Sequence, residues 1–490
     1  MPEAQRPLEP VPWQPVGAIC AGIFTLLLAV SNRYGWHRDE LYFLEAGKHH
    51  LAWGYVDQPP FTPFLARLAD QLAPGSLTVL RLVPAITAVA TIVMGTLIAR
   101  ELGARRGGQI AAAGSMAAGG FALGVGHLLS TAAFDLTAWM ALLWIAVRLL
   151  RTDQPRWWLA FGAIAGVALL NKDLVVLLVA ALLIGLVIER RWTLLRSPWL
   201  LAGGAIALVI AAPNLLWQAD HGWPQRDMAR ALSERLAGEN RSTLIPLQVL
   251  FAGPLFVPVL WSGARTLATG AWARPYRTLL WTWIAGIAIA FITAGRPYYV
   301  LPLTTVVLLV GFVDWAQRGR LRALAWTLVP SAAVTIVLAV PVLPISAVNV
   351  TATVNEAVAE TVGWPELVDQ LASVVHQLPM EDQAHLVLLT GTYGEAGAID
   401  RFGPSRGLPR AYSGHNSYAD WGIPTDPAAV VVAVRMQRRQ LDPFFGLCAE
   451  VAQVDNGLDV DNEVQGAPIL VCRGLHTPWP EVWEHLRRLS

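Results

Sequence analysis

Apolar runs long enough to cross about 30 Å of hydrocarbon, roughly 20 residues each, recur from Val16 to Pro344 and then stop. Eleven are predicted as membrane-spanning helices: 13–31, 79–99, 108–127, 132–150, 157–171, 174–189, 198–216, 245–263, 278–293, 298–314 and 323–343. The fifth, sixth and ninth are short for a bilayer, which calls for tilt, kinking or shielding by neighbours. Two of the polar segments between runs are long, 32–78 and 217–244. Beyond residue 344 the pattern changes to strand-like apolar runs at 385–390, 429–435 and 468–472, separated by turns and helix-compatible stretches. That is the pattern of a small α/β or α+β domain.

Charge gives the helices a direction. Every second short connection is arginine-rich: Arg100, Arg105 and Arg106; Arg148, Arg151 and Arg156; Arg190, Arg191 and Arg196; Arg265, Arg274 and Arg277; Arg318, Arg320 and Arg322. The alternate short connections, 128–131, 172–173 and 294–297, hold only Lys172 and Arg296. The positive-inside rule then places the arginine series and the Pro-rich segment 1–15 in the cytoplasm, and loops 32–78 and 217–244 outside. Segment 1–15 lacks a basic leader and a cleavage motif, so the first run is predicted as a retained anchor. The expected organisation is a cytoplasmic tail (1–15), a multispan domain (16–344) and an outer α/β domain (345–490).

Composition agrees and narrows the class. Only 14% of the 490 residues are charged, against about 25% in soluble proteins, which excludes a cytosolic multidomain enzyme. The net charge of +1 hides a division, because residues 345–490 hold 9 Arg against 18 Asp and Glu. An acidic outer domain repels phosphate chains, so no nucleic-acid partner is expected. Three cysteines exclude a zinc cluster or a disulfide scaffold. Cys448 and Cys472 both fall in the outer domain, where they form either a disulfide or two buried thiols, and Cys20 falls in the first run.

Few charges remain for chemistry, and acidic residues beside apolar runs are functional candidates. Solvated helix ends account for Glu189 and Asp314. Asp135 differs, because it lies at the outer start of the fourth run. The first outer loop reads Trp36-His37-Arg38-Asp39-Glu40-Leu41-Tyr42-Phe43 and then Trp53-Gly54-Tyr55-Val56-Asp57-Gln58-Pro59-Pro60-Phe61. Residues 39–50 are predicted as a short interfacial helix. Asp39 at its N-terminus suits helix capping, and the adjacent carboxylates Asp39 and Glu40 also suit a general base or a divalent ion.

The Asp39-Glu40 pair after the first span resembles the polyprenyl-phosphate-sugar glycosyltransferases, which include the protein O-mannosyltransferases and the lipid A aminoarabinose transferases. The Pro59-Pro60 segment, the Asp135 context, Asn171-Lys172 and Gly295-Arg296-Pro297-Tyr298-Tyr299-Val300-Leu301-Pro302 add to the likeness. In the outer domain, Tyr393-Gly394-Glu395-Ala396-Gly397-Ala398-Ile399-Asp400 and Ser413-Gly414-His415-Asn416-Ser417-Tyr418 resemble a bacterial branch labelled family 39. The resemblance implies a GT-C fold and an inverting hexosyl or pentosyl transfer from a polyprenyl-phosphate-sugar to an outer acceptor hydroxyl, on protein, lipid or polysaccharide. It implies Asp39 as general base, Glu40 as its partner and Asp135 as an orienting carboxylate. Lys172 and Arg296 would bind the departing phosphate. Arg296 stands where many relatives carry lysine, and a planar fork is not a point charge.

Weaker expectations attach to other residues. Asp57, Asp220, His221, Tyr298 and Tyr299 are candidate substrate or metal contacts, while Trp217 and Trp223 are better explained by an interfacial aromatic belt. His415, Asn416, Tyr418 and Trp421 are candidate acceptor contacts. Tyr393 to Ala398 is too weak a glycine pattern for a nucleotide site and is expected to serve stability. No dense ligand set argues for a metal, although a divalent ion is compatible with the carboxylates. Donor lipid, acceptor and bilayer lipids are the expected partners, and the arginine-over-lysine bias fits the plasma membrane of a GC-rich bacterium. The competing class is a polyprenyl-linked sugar flippase, against which no convincing internal repeat is found.

Overall fold

The computed structural model describes residues 7–489; residues 1–6 of the proline-rich segment lie outside it. Six helices are long and apolar enough to cross a membrane: Leu77–Glu101, Thr131–Thr152, Pro198–Asp220, Arg274–Ile292, Pro297–Gln317 and Leu321–Ala339. Two further pairs qualify only when each is taken together, Arg106–Ala117 with Gly120–His127, bent by 56°, and Pro224–Ala252 with Pro254–Thr269, bent by 90°. Trp13–Ala29, Trp157–Leu169 and Val175–Ile188 are shorter apolar helices of 17, 13 and 14 residues. The chain is a multi-pass membrane protein. Each expected apolar run lies on one of these helices or on a bent pair of them, but six to eight, not eleven, are long and apolar enough to cross a membrane.

Two expectations change in shape. The run 245–263 is not one helix, because Gly253 takes φ 116°, where side chains are strained, and Pro254 follows it. The segment 217–244 is not an open loop, since one helix runs on to Asp220 and the next starts at Pro224. The outer loop 32–78 is also largely helical, with Arg38–His49 and Phe61–Leu72.

The arginine-rich connections meet at one end of the bundle. A recess of about 1230 Å³ is lined by Glu9, Arg105, Arg151, Arg190, Arg191, Arg274 and Gln317, among others, so it draws on all five connections. Helix Leu77–Glu101 ends there with Glu101, while Arg81 near its other end touches the first outer loop. At 1.5 Å per residue, that helix separates the two ends by the thickness of a bilayer.

Past Ala339 the chain forms a five-stranded sheet: β1 Leu386–Thr390, β2 Ala411–Ser413, β3 Val430–Val434, β4 Phe445–Gln453 and β5 Pro468–Leu475, in the order β2-β1-β3-β5-β4. β1 pairs in parallel with β2 and β3, while β5 is antiparallel to β3 and β4. Alternate residues face opposite sides. Leu388, Val430, Val432 and Val434 pack on Leu367, Leu371 and Ile399, whereas Val387, Leu389, Val431 and Ala433 pack on Trp479, Val482 and Trp483. The first of these cores also contains Trp36, Leu41, Tyr42, Phe43 and Leu44. The loop 32–78 of the membrane region is thus built into the α/β domain. Cys448 and Cys472 sit opposite one another on β4 and β5 and form a disulfide, with a Cα–Cα distance of 4.1 Å; Cys20 is a buried free cysteine.

Candidate active site

Helix Arg38–His49 begins with a capping box. The His37 side chain accepts from the Asp39 N–H at 3.2 Å, and Glu40 accepts from the His37 N–H at 2.9 Å. This pattern satisfies amide donors that a helix start leaves free and sends the two neighbouring carboxylates to different places. Glu40 is fully buried and accepts from Arg81 Nε at 2.9 Å, Arg81 Nη2 at 2.8 Å and the Leu129 N–H at 3.1 Å. Its oxygens are committed to structure, which corrects the expectation that it partners Asp39 in orientation or ion binding.

Asp39 stays accessible, its side chain 31% exposed. Oδ1 accepts from the Tyr393 hydroxyl at 2.8 Å and lies 3.8 Å from Arg38 Nε. Burial pushes the carboxyl up, but the charges of His37 and Arg38, the Tyr393 hydrogen bond and the charge of Arg296 outweigh it and hold Asp39 below the ordinary carboxylate range. A second acid pair stands beside it. Tyr42 donates to Asp57 Oδ1 at 2.8 Å, and the Tyr42 and Tyr393 rings pack with centroids 4.7 Å apart. Burial raises Asp57 to about 6, and the charge of Asp39 adds to the rise.

Cations occupy the other wall. Lys172 Nζ donates to the Tyr298 hydroxyl at 3.3 Å and lies 5.0 and 5.1 Å from the ring centroids of Tyr298 and Tyr299, within cation–π range. Asn171 fixes this turn by accepting from Thr62 at 2.9 Å and donating to the Thr131 carbonyl at 2.8 Å. Lys172 is close enough to Asp135 for their charges to interact, and Asp135 is buried. Arg296 acts on Asp39 and on both tyrosines, Tyr298 and Tyr299. Asn240 donates to the Ala294 carbonyl at 2.8 Å, tying helix Pro224–Ala252 to the segment that carries Arg296. Asp39, Asp57, Asp135, Lys172, Arg296, Tyr298 and Tyr299 therefore form one electrostatic neighbourhood.

Other expected residues have different places. His221 stacks on Trp217 with centroids 4.0 Å apart, and Asp220 is exposed beside it; neither has a hydrogen bond or ion pair to the residues above among the described residues. This segment instead holds the Asp57 loop, through Asn214 to the Trp53 carbonyl at 2.8 Å and Gln225 to the Tyr55 carbonyl at 3.1 Å. Tyr418 is 2% exposed and donates to Asp400, which corrects its reading as an acceptor contact. His415 and Asn416 are buried as well, with the His415 ring stacked on Tyr393 at 4.9 Å and Asn416 N–H donating to the Arg488 carbonyl at 3.0 Å. They build the wall behind Tyr393 rather than its open face. Trp421 stacks on His50 at 4.4 Å. Among the described residues no three His, Cys, Asp or Glu side chains converge as a metal site.

Arg81 and Tyr393 are the site residues that sequence reasoning missed. A lone arginine inside the run 79–99 was a readable signal, because a charge at that position needs a buried partner. Tyr393 stood in a motif that carried the family likeness, but its glycine pattern pointed to stability and nothing in it pointed to Asp39.

A helical bundle joined to a small α/β domain defines the class by its fold, which is the GT-C fold. The fold matches that of ArnT from Cupriavidus metallidurans bound to undecaprenyl phosphate, with a TM-score of 0.61, 17% identity and coverage of 94% of this chain and 98% of that one. ArnT from the same organism in the apo state gives a TM-score of 0.57 at 16% identity, covering 93% of this chain and 97% of the other. The family model for dolichyl-phosphate-mannose-protein mannosyltransferase matches residues 57–217. No curated protein sequence matches significantly.

Proposed function

We propose that the protein transfers a sugar from a polyprenyl-phosphate-sugar donor to an acceptor hydroxyl at the outer face of a bacterial plasma membrane, with inversion at the anomeric carbon. The observation that carries this reading is the placement of the Asp39 carboxylate within the field of Arg296, which also acts on Tyr298, the tyrosine that Lys172 donates to. The GT-C fold and a match to an undecaprenyl-phosphate-bound structure support it.

The chemistry follows from the charges. The acceptor oxygen bonds to the anomeric carbon as the carbon–oxygen bond to the lipid phosphate breaks, and the bonding pair leaves with the phosphate. Lys172 and Arg296 stabilise the negative charge that develops there. The hydroxyl proton passes to Asp39. A carboxylate held low is a weak base but stays ionised down to lower pH than an ordinary one, which suits a reaction in which the sugar carries positive charge before the proton is lost. Asp135 and Asp57 are assigned to orient Lys172 and the bound sugar.

The arginine end of the bundle then faces the cytoplasm, and the amino-terminal segment lies inside with it. Proteoliposomes loaded with labelled polyprenyl-phosphate-sugar test the reading. A transferase forms a sugar–acceptor product and free polyprenyl phosphate only when acceptor is supplied, whereas acceptor-independent movement of intact donor across the bilayer would establish a flippase.

A further inference from the structure

We propose that Tyr393, a residue of the α/β domain, is the positioning residue for the base, so that this domain completes the reaction site. The proposal rests on the assignment of Asp39 as that base.

The hydroxyl of Tyr393 donates to Asp39 Oδ1 at 2.8 Å across 354 residues of sequence. Oδ2 has no hydrogen bond among the described residues and lies 3.9 Å from His37 Nδ1, which is itself taken up by the Asp39 N–H. Tyr393 therefore occupies one carboxylate oxygen and leaves the other to take the acceptor proton.

The tyrosine is itself held on several sides. Its ring packs between His415, at 4.9 Å and 11°, and Tyr42, at 4.7 Å and 31°, and its backbone N–H donates to His415 Nδ1 at 3.4 Å. A capping box between Thr392 and Glu395 starts helix Tyr393–Phe402 at this point. The helix lies directly against Arg38–His49, since a Cβ added to Gly397 would come within 2.9 Å of Leu41 Cβ and one on Gly394 within 3.0 Å of Arg38 Cβ. The glycine spacing thus serves close approach to the helix that carries Asp39. Buried Glu395 pairs with Arg435 at 3.1 Å, Arg435 pairs with Glu463 at 2.9 Å, and Glu463 pairs with Arg38. The domain grips both Asp39 and its neighbour, so the carboxylate's orientation is set from outside the membrane bundle. A hydrogen bond to the ionised form favours that form.

The test compares Tyr393→Phe, a fluorotyrosine at position 393 and Asp39→Asn in the full-length protein, following pH profiles of turnover with a polyprenyl-phosphate-sugar donor. Tyr393→Phe keeps the ring and removes the donor. It is expected to lower kcat about tenfold and to move the acid limb of the profile to higher pH, with donor KM unchanged within about twofold. Fluorotyrosine is a stronger donor and moves the limb to lower pH. A residue that only supports the fold would lower the active fraction without moving the limb. Unmoved limbs in both Tyr393 proteins, with Asp39→Asn inactive, overturn the proposal and leave the base intact. Turnover by Asp39→Asn overturns the base assignment itself. If Tyr393→Phe fails to fold, the fluorotyrosine protein decides alone.

Discussion

Arg81 closes on Glu40 with two hydrogen bonds, at 2.9 and 2.8 Å, and the two side chains are 1% and 0% exposed. Arg81 also donates to the carbonyls of Ser31 and Gly35, both at 2.7 Å. The pair joins helix Arg38–His49 to the amino-terminal end of the membrane helix Leu77–Glu101. Removing one partner leaves a buried charge unpaired, at a cost of about 3–5 kcal/mol. Glu40→Gln and Arg81→Met are each expected to lower the melting temperature in detergent sharply, while the fraction that folds keeps its donor KM. A Glu40→Gln protein with wild-type stability would show that the pair holds nothing together.

Lys172 presents a point charge against two tyrosine rings. Loss of a charge that meets the leaving phosphate typically costs about 10²–10³ in rate. Lys172→Met is expected to lower kcat/KM on this scale and to weaken binding of free polyprenyl phosphate. Lys172→Arg should recover part of the loss, because charge is retained while the geometry of donation changes. Unchanged lipid-phosphate binding in Lys172→Met would remove this residue from the phosphate site.

Asp57 gives a pH-dependent prediction. Its ordinary value is 3.8 and the fold raises it to about 6, so between those values the unfolded chain has lost a proton that the folded protein keeps. Stability from this group therefore falls as pH rises through that window and is flat above it. Asp57→Asn removes the loss. It should gain up to about 3 kcal/mol over wild type above pH 6 and nothing below pH 4, read from paired melting curves at the two ends.

The Cys448–Cys472 bond lies on the sheet face that packs against Trp479, Val482 and Trp483, opposite the face that meets the Asp39 helix. Replacing both cysteines by serine is expected to destabilise the α/β domain by about 2–4 kcal/mol without changing turnover at 25 °C. Proteolysis of the domain on heating, followed beside activity, separates the two effects.

The sequence showed most of what is local. Apolar runs located the helices, residues of the five arginine-rich connections line one recess, and the 39–50 prediction lies within one residue of Arg38–His49. The strand-like runs correspond to β1, β3 and β5. β2 has only three residues, and β4 exposes most of its side chains, so neither carries an apolar signature. Gly253-Pro254 could have been read as a break, but the apolar residues on both sides concealed it. The meeting of Asp39 with Tyr393, and of Glu40 with Arg81, was not legible. Each joins elements distant in the chain, and only packing decides which of two adjacent carboxylates is buried and which stays open. Of the residues named for chemistry, Asp39, Asp57, Asp135, Lys172, Arg296, Tyr298 and Tyr299 share one electrostatic neighbourhood, while Glu40, Asp220, His221, His415, Asn416 and Tyr418 lie outside it, a division that required the fold.

Turnover of Asp39→Asn, with the pure protein, a polyprenyl-phosphate-sugar donor and acceptor, tests the central claim most directly. Asparagine keeps the size of the side chain and can still accept from Tyr393, so folding and polyprenyl-phosphate binding should match wild type. Release of polyprenyl phosphate should fall by about 10²–10⁴. Wild-type release by this protein would contradict the assignment of Asp39 as the base.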